Sequence, residues 1–177
     1  MLLIMISFII FEGKSSMTLA ASLIGVTSLI FNAKGNPFGQ FLMVLFSLLY
    51  GIISFSFSYY GEMITYLGMT MPMAVFSLIS WLKNPYGESR AEVKIVRMKN
   101  VEVIWMWFLT AVVTIFLYFV LEYFHTANIV PSTLSVTTSF LAVYLTFKRN
   151  PYFAVAYAAN DIVLIILWIL ASIKDFT

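Results

Sequence analysis

Three observations on this sequence predict its fold class, an all-α integral membrane protein with six transmembrane helices. The 177 residues are 62% hydrophobic and only 10% charged, with a mean hydropathy of +0.96, and a soluble domain of this size would not bury so much apolar surface. The apolar residues form six stretches, most of them close to the ~20 residues that a helix needs to cross a ~30 Å hydrocarbon core. The basic residues concentrate in alternate loops. The stretches are Met17–Phe31, Pro37–Phe57, Glu62–Leu82, Val103–Leu121, Ile129–Phe147 and Tyr152–Ile173.

The basic residues predict the orientation. Eight of the ten Lys and Arg residues lie in the loops that follow the first, third and fifth stretches. Because basic loops stay on the cytoplasmic side, we expect a multi-pass protein of the cell membrane with loops 83–100 and 148–150 in the cytoplasm. The mixed charges of residues 88–99 predict a solvated loop or a short surface helix. Topology therefore accounts for the net charge of +2, and no nucleic-acid partner is expected.

The first half of the chain adds several local expectations. The first eleven residues are apolar but too short to span, so we expect an interfacial helix or the remnant of a longer segment. Ala21 and Gly25, four residues apart, favour close helix packing. Pro37 suits a helix start, where its missing N–H costs nothing. Glu62 is expected to be solvated at the outer interface, and Pro72 to interrupt the third helix, lining a cavity or making a hinge.

A weak repeat relates the two ends of the chain. Asn32–Pro37 and Thr146–Pro151 share Lys, Asn and Pro at an offset of 114 residues, and each joins two apolar stretches. Both helix pairs run in the same direction, and parallel repeats are a known transporter plan. Lys, Asn and Pro are also ordinary residues for a turn, as in Lys83–Pro85.

The repeat predicts how the single transmembrane domain, residues 1–177, is organised. A first helical repeat at 17–82 would be followed by a linking helix at 103–121 and a second repeat at 129–173 that is incomplete. The position equivalent to Glu62 would be 176, so the third helix of that repeat is missing. An alternative division pairs the first eleven residues and the next two stretches with the last three. Either division predicts a chain clipped at one end.

The strongest candidate for a binding site is the pair Asn160 and Asp161 in the middle of the sixth stretch. Polar and ionisable side chains inside a membrane are costly and usually functional. Tyr157 lies one turn before Asp161, and Trp168 lies two turns after it, so the two aromatics could flank a flat ring. The alternative is a structural role, with Asp161 capping a neighbouring helix or binding a Thr hydroxyl.

Further polar residues lie in the second and fifth stretches. Thr133–Ser139 contains five hydroxyl side chains, among them Ser135 and Thr138, which serve either close helix packing or a substrate. Gln40 is a candidate buried amide near the cytoplasmic start of the second helix, and Tyr50 lies further along it.

Catalytic and metal-binding patterns are not found in the sequence. It has no cysteine, no Ser/His/Asp set, no Gly-rich phosphate loop and no paired intramembrane carboxylates. The single histidine, His125, has no second ligand beside it. We therefore expect no enzyme activity, no metal and no cofactor; rings of like charge or a filter loop, which would indicate an ion channel, are also missing.

Several short motifs resemble one transporter family. These are Tyr59–Met63 before a helix that ends at Ile79–Lys83, and Ser132–Leu145 followed by Lys148–Arg149 and an aromatic helix with a central Asn-Asp. In this order they resemble the PnuC family of vitamin transporters, over roughly residues 19–167. The resemblance implies seven helices in a 3+1+3 arrangement, similar to the SWEET-type parallel repeat.

The resemblance also implies a function. The family carries nicotinamide riboside, with relatives for thiamine, riboflavin and deoxynucleosides, by facilitated diffusion followed by trapping through a cytoplasmic kinase. Its sixth helix has a Trp-x-x-Trp pair, with Asn or Asp four residues after the second Trp. Counted back from Asp161, these positions hold Ala154 and Tyr157. The second position therefore keeps an aromatic side chain, and the first does not.

We therefore expect a transporter for a nucleoside-like B vitamin, with nicotinamide riboside as the leading substrate and a deoxynucleoside or thiamine as alternatives. A second hypothesis is the substrate-binding subunit of an ATP-driven vitamin importer, since such subunits are six-helix proteins of about this size. A third is a structural protein that binds no small molecule. The expected partners are the substrate and the lipid bilayer, and the sequence leaves open whether the chain forms a homo-oligomer.

Overall fold

The computed structural model describes residues 5, 6, 8, 16–56, 60–87, 91–126 and 128–175, without the side chains of 167, 168 and 171–175. Most of the predicted interfacial segment at residues 1–11 lies outside them. Within the described residues there are six long helices: α1 (Ser16–Ala33), α2 (Phe38–Ser56), α3 (Tyr60–Lys83), α4 (Asn100–Tyr123), α5 (Ile129–Phe147) and α6 (Phe153–Asp175). Helices α1 to α5 are long and apolar enough to cross a membrane, and the described apolar part of α6, Phe153–Ile166, is shorter. The structure confirms the all-α membrane class.

The chain forms two compact units, an N-terminal unit (Met1–Lys94) and a C-terminal unit (Ile95–Thr177). In the N-terminal unit α2 packs against both α1 and α3, and in the C-terminal unit α5 packs against both α4 and α6. The predicted first repeat therefore lies in one unit. The predicted linking helix shares the other unit with the predicted second repeat, and the division into repeats stays a prediction.

The interior of the N-terminal unit consists largely of small and polar side chains. The buried residues of α1 and α2 are Ala21, Ser28, Asn32, Gly39, Gln40, Leu42, Met43, Ser47, Gly51 and Ser54. Large apolar side chains point outwards instead, among them Phe41, Leu48 and Phe55. This distribution is typical of helices in lipid, where small residues let backbones approach and apolar side chains face the hydrocarbon.

Helix α3 changes its winding instead of breaking at Pro72. Residues Thr65–Thr70 form a π-helical segment between α-helical Tyr60–Ile64 and Met71–Lys83. The amide of Met71 donates to the carbonyl of Tyr66, five residues earlier. Pro72 lies in the first turn of the α-helical part that follows, where it needs no N–H partner. The wider π turn therefore replaces the interruption expected from the sequence.

The α1–α2 and α5–α6 turns follow the same backbone path. The amides of Asn36 and Asn150 each donate to the carbonyl five residues earlier. Their side chains accept from the amide two residues later, at 2.9 and 3.0 Å. The preceding residues, Gly35 and Arg149, both have positive φ, 68° and 58°. A positive φ is sterically unfavourable for arginine. The shared Asn-Pro sequence, and not glycine alone, therefore sets this turn.

The segment between α3 and α4 is extended where the structure describes it. Strands β1 (Pro85–Tyr86) and β2 (Glu92–Val93) pair antiparallel, and the amide of Val93 donates to the carbonyl of Gly35 at 2.9 Å. Residues 94–99 form neither helix nor strand. Of the two alternatives predicted for residues 88–99, the described part is therefore a loop with a short hairpin and not a surface helix.

The first turn of α4 carries an ion pair. The Glu102 carboxylate accepts from the backbone amide of Lys99 at 2.9 Å, which lets the helix begin at Asn100, before the predicted Val103. Its other oxygen lies 2.9 Å from the Lys148 ammonium, at the end of α5. The pair therefore ties the start of α4 to the α5–α6 turn within the C-terminal unit.

Candidate functional site

Asn160 is the polar centre of the α5–α6 pair. Its side chain is only 7% exposed. Its Oδ1 lies 2.8 Å from the Thr138 hydroxyl and 2.9 Å from the Ser139 hydroxyl, both on α5. Thr138 and Ser139 are adjacent in sequence, and both hydroxyls hold the same end of the amide. The hydroxyl-rich run of the fifth helix thus supplies partners to the central asparagine of the sixth.

The Thr138 hydroxyl has more acceptors in reach than it has protons. It lies 3.0 Å from the carbonyl oxygens of Leu134 and Ser135 as well as near Asn160. A hydroxyl donates once, so when it donates to a backbone carbonyl, the Asn160 amide can turn and donate to Thr138. In the described part of the chain, Thr138 and Ser139 are the side chains that bind Asn160. The other end of the amide can therefore present either a donor or an acceptor.

Asp161 is exposed on the C-terminal unit. A step of one residue turns the side-chain direction by about 100° around a helix, so packing buries Asn160 against α5 and leaves its neighbour outside that contact. The role of Asp161 in binding, expected from its place in the middle of the sixth stretch, stays a prediction.

Tyr157 lies three residues before Asn160 and is half-buried. Its hydroxyl is hydrogen-bonded to Thr146, which itself donates to the carbonyl of Ala142. Ser135, half-buried, takes part through its backbone carbonyl, which accepts from Thr138. The side chain of Trp168 lies outside the described residues. The structure thus brings Asn160 and Thr138 into direct contact and fixes Tyr157 on the same helix pair.

Gln40 belongs to a second polar cluster, between α1 and α2. Its Nε2 donates to Asn32 Oδ1 at 2.8 Å, and Asn32 Nδ2 lies 3.3 Å from Ser28 Oγ. Ser28 in turn donates to the carbonyl of Gly39 at 2.9 Å. Gln40, Asn32 and Ser28 are all at most 2% exposed, so this cluster ties two helices together. Asn32 and Ser28 were not singled out from the sequence, although their four-residue spacing placed them on one helix face.

Tyr50 belongs to a third cluster, near the start of α3. Its hydroxyl donates to Glu62 Oε2 at 2.8 Å. Its ring lies 4.4 Å from that of Tyr66, centroid to centroid. Glu62 is half-buried, which differs from the solvated carboxylate expected from the sequence. The reason is tertiary, because α2 brings a phenol against the first turn of α3.

The comparisons with known proteins decide the family. A family model described as nicotinamide mononucleotide transporter matches residues 15–175. The chain belongs to this family. No curated protein matches the sequence significantly. The resemblance to the PnuC family is thereby confirmed, and the chain is a multi-pass membrane transporter and not an enzyme.

The fold agrees with this membership. It is similar to the crystal structure of the vitamin B3 transporter PnuC, with a TM-score of 0.79 and 23% sequence identity. The match covers 97% of this chain and 74% of that chain. At this identity, the likeness supports the fold.

Proposed function

We propose that this member of the nicotinamide mononucleotide transporter family carries nicotinamide riboside across the cell membrane by facilitated diffusion. Two comparisons support a nicotinamide-containing substrate. The family description names the mononucleotide, and the similar structure is described as a vitamin B3 transporter.

The observation that carries the proposal is the Asn160 amide with one end held by α5. A primary amide offers two donors and an acceptor, and the carboxamide of nicotinamide offers the same set in the same planar arrangement. The end of the Asn160 amide that α5 does not hold can therefore form a hydrogen bond with the carboxamide, as donor or as acceptor. Tyr157, one helical turn away, supplies an aromatic face of the kind on which a flat ring stacks. Thr138 and Ser139 hold the amide in place from behind.

The charges favour the riboside over the mononucleotide. A phosphate group calls for Lys or Arg partners or for a helix N-terminus. Helix α5 contains no Lys or Arg, and in α6 the sole basic residue is Lys174, close to the helix end. Lys148, which follows α5, is already paired with Glu102. A neutral ribose hydroxyl group therefore suits the middle of this helix pair better than a phosphate dianion does.

Binding to the purified protein tests the proposal. We expect nicotinamide riboside to bind more tightly than nicotinamide mononucleotide, thymidine or thiamine, measured by titration calorimetry. Asn160→Ala should weaken the riboside at least tenfold, or ~1.4 kcal/mol, because the carboxamide loses its partner. Asp161→Asn is the matched neighbour. If Asp161→Asn abolishes binding while Asn160→Ala has no effect, the substrate is recognised by the Asp161 face and not by Asn160. If thymidine or thiamine binds more tightly than nicotinamide riboside, that compound replaces it as the proposed substrate.

Uptake into vesicles tests the transport mode. The protein, reconstituted alone without ATP and without an ion gradient, should equilibrate labelled nicotinamide riboside across the bilayer. Uptake that requires a separate ATPase would instead support the substrate-binding subunit of an ATP-driven importer.

We propose that the basic loops 83–100 and 148–150 face the cytoplasm, because of the charge asymmetry of the sequence.

A further inference from the structure

Positive charge collects at one end of the C-terminal unit. Four of the five basic residues of this unit lie just before α4 or just after α5: Arg97, Lys99, Lys148 and Arg149. The acidic residue at this end is Glu102, and both of its oxygens are already used, one by the Lys148 ammonium and the other by the backbone amide of Lys99. Among the described residues, the side chains of Arg97 and Lys99 form no ion pair. Two positive charges are therefore left without a negative partner at this surface.

The segment that carries these two cations is attached at both of its ends. Residues 95–99, called the strap below, are neither helix nor strand. The amide of Val96 donates to the carbonyl of Arg149 at 3.1 Å, in the α5–α6 turn. The amide of Lys99 donates to the carboxylate in the first turn of α4 at 2.9 Å. Arg97 lies between these two attachments, and its side chain and that of Lys99 are exposed. The fold therefore presents both cations from a backbone that it holds in place.

Large apolar side chains lie next to these cations along the chain. Four of them, in the strap and in the first turns of α4, are each more than half exposed: Ile95, Val101, Ile104 and Trp105. Aliphatic side chains and tryptophan are stable at the boundary between lipid headgroups and acyl chains. The orientation of the chain requires basic residues in this loop but no apolar side chains beside them. An anion that fits the whole surface therefore carries apolar chains together with its negative charge.

We infer that the strap and the first turns of α4 form a binding surface for an anionic phospholipid. Arg97 and Lys99 bind the phosphate, the arginine through paired hydrogen bonds and the lysine as a point charge. The acyl chains lie along the exposed side chains of Ile104 and Trp105. The strap belongs to a loop that we propose to face the cytoplasm, and the cytoplasmic leaflet carries anionic lipid. The surface thus has a ligand that is distinct from the transported substrate.

The experiment titrates the detergent-solubilised full chain with phosphatidylglycerol, and with phosphatidylcholine of the same acyl chains as the lipid without net charge. The rise of the thermal unfolding midpoint with lipid concentration gives the apparent affinity. Phosphatidylglycerol should bind more tightly than phosphatidylcholine. Arg97→Gln and Lys99→Gln should each weaken phosphatidylglycerol about fivefold, or ~1 kcal/mol, and leave phosphatidylcholine unchanged. Both side chains are exposed, and the Lys99→Gln variant keeps the backbone amide that binds Glu102, so the fold is kept.

Lys34 provides the matched control. It is exposed in the α1–α2 turn, at the position that corresponds to Lys148 in the α5–α6 turn, and Lys34→Gln removes the same charge from the N-terminal unit. This variant should bind phosphatidylglycerol as the unchanged protein does. An equal loss in Lys34→Gln would show a general effect of net charge, and an unchanged affinity in both Arg97→Gln and Lys99→Gln would show that the strap binds no lipid. Either result overturns the inference.

Two further probes test the position of the lipid and the need for its chains. Phosphatidylglycerol with bromine near the start of its acyl chains should quench tryptophan fluorescence more than brominated phosphatidylcholine does, and Trp105→Phe should remove most of this difference. A difference that persists in Trp105→Phe would place the lipid elsewhere and overturn the inference. Glycerol 3-phosphate, which has the phosphate without the chains, should not raise the unfolding midpoint. If it stabilises the protein as strongly as phosphatidylglycerol does, the surface binds free phosphate and the lipid assignment is wrong.

Discussion

Replacing Gly39 with alanine should separate α1 from α2, because Gly39 lies directly against the α1 backbone. An added Cβ would lie 2.6 Å from the backbone nitrogen of Asn32 and 2.8 Å from its Cγ. A side chain could rotate away, but a helix backbone cannot move without shifting the whole contact. The same movement would stretch the hydrogen bond from Ser28 to the Gly39 carbonyl and the one from Gln40 to Asn32.

The expected loss follows from these contacts. Overpacking of a well-packed interior costs about 1–3 kcal/mol. Each buried hydrogen bond between membrane helices contributes about 0.6 kcal/mol. With two such bonds weakened, the free energy of unfolding should fall by about 2–4 kcal/mol. At about 2–4 °C per kcal/mol for a chain of this length, the thermal midpoint should drop by about 4–16 °C.

Thermal unfolding of the detergent-solubilised protein, followed by tryptophan fluorescence or by the loss of the monodisperse peak, measures this change. Gly68→Ala is the matched control. Gly68 is exposed on α3, and the nearest atom to an added Cβ is Ile64 Cγ2 at 3.9 Å. A midpoint for Gly39→Ala equal to that of the control would refute the close approach of α1 and α2.

Three further predictions concern the C-terminal unit and the topology. The Lys148–Glu102 pair is partly solvated, with side-chain exposures of 29% and 37%. A double-mutant cycle with Lys148→Met and Glu102→Gln should therefore give a coupling free energy below about 1 kcal/mol. A larger coupling free energy would show that the pair is shielded from water. Thr114→Val removes the 3.0 Å hydroxyl contact with Thr137 and should cost about 0.6 kcal/mol; an unchanged unfolding midpoint would show that the contact contributes nothing. A cysteine placed at the exposed Ala91 should react with an impermeant maleimide in inside-out vesicles only, and labelling in intact cells would reverse the orientation.

The membrane class and the positions of the helices could be predicted because hydropathy is a local property of the chain. Six apolar stretches correspond to six long helices, with ends shifted by a few residues where a side chain caps the helix, as Glu102 does for α4. The Asn-Pro turns at Asn36 and Asn150 could also be recognised, since an Asn side chain followed by Pro fixes its own backbone path. The short motifs pointed to the right transporter family.

The candidate site was predictable in residue type and only partly in detail. The central polar pair of the sixth helix was visible in the sequence, but which of its members is buried depends on how α6 is rotated about its axis when it packs on α5. That rotation buries Asn160 against two hydroxyls and leaves Asp161 exposed.

Glu62 shows the same limit in the N-terminal unit. Its sequence neighbourhood indicated a solvated interfacial carboxylate, because a charge at a membrane boundary is inexpensive. Its contact with Tyr50 joins residues twelve positions apart on two helices, and Leu67, in the π turn that also carries Tyr66, lies against Gly51 of α2. Sequence alone thus determined which segments cross the membrane, through the transfer energies of single side chains. Tertiary packing decided which polar groups meet, because it fixes the rotation and the separation of whole helices.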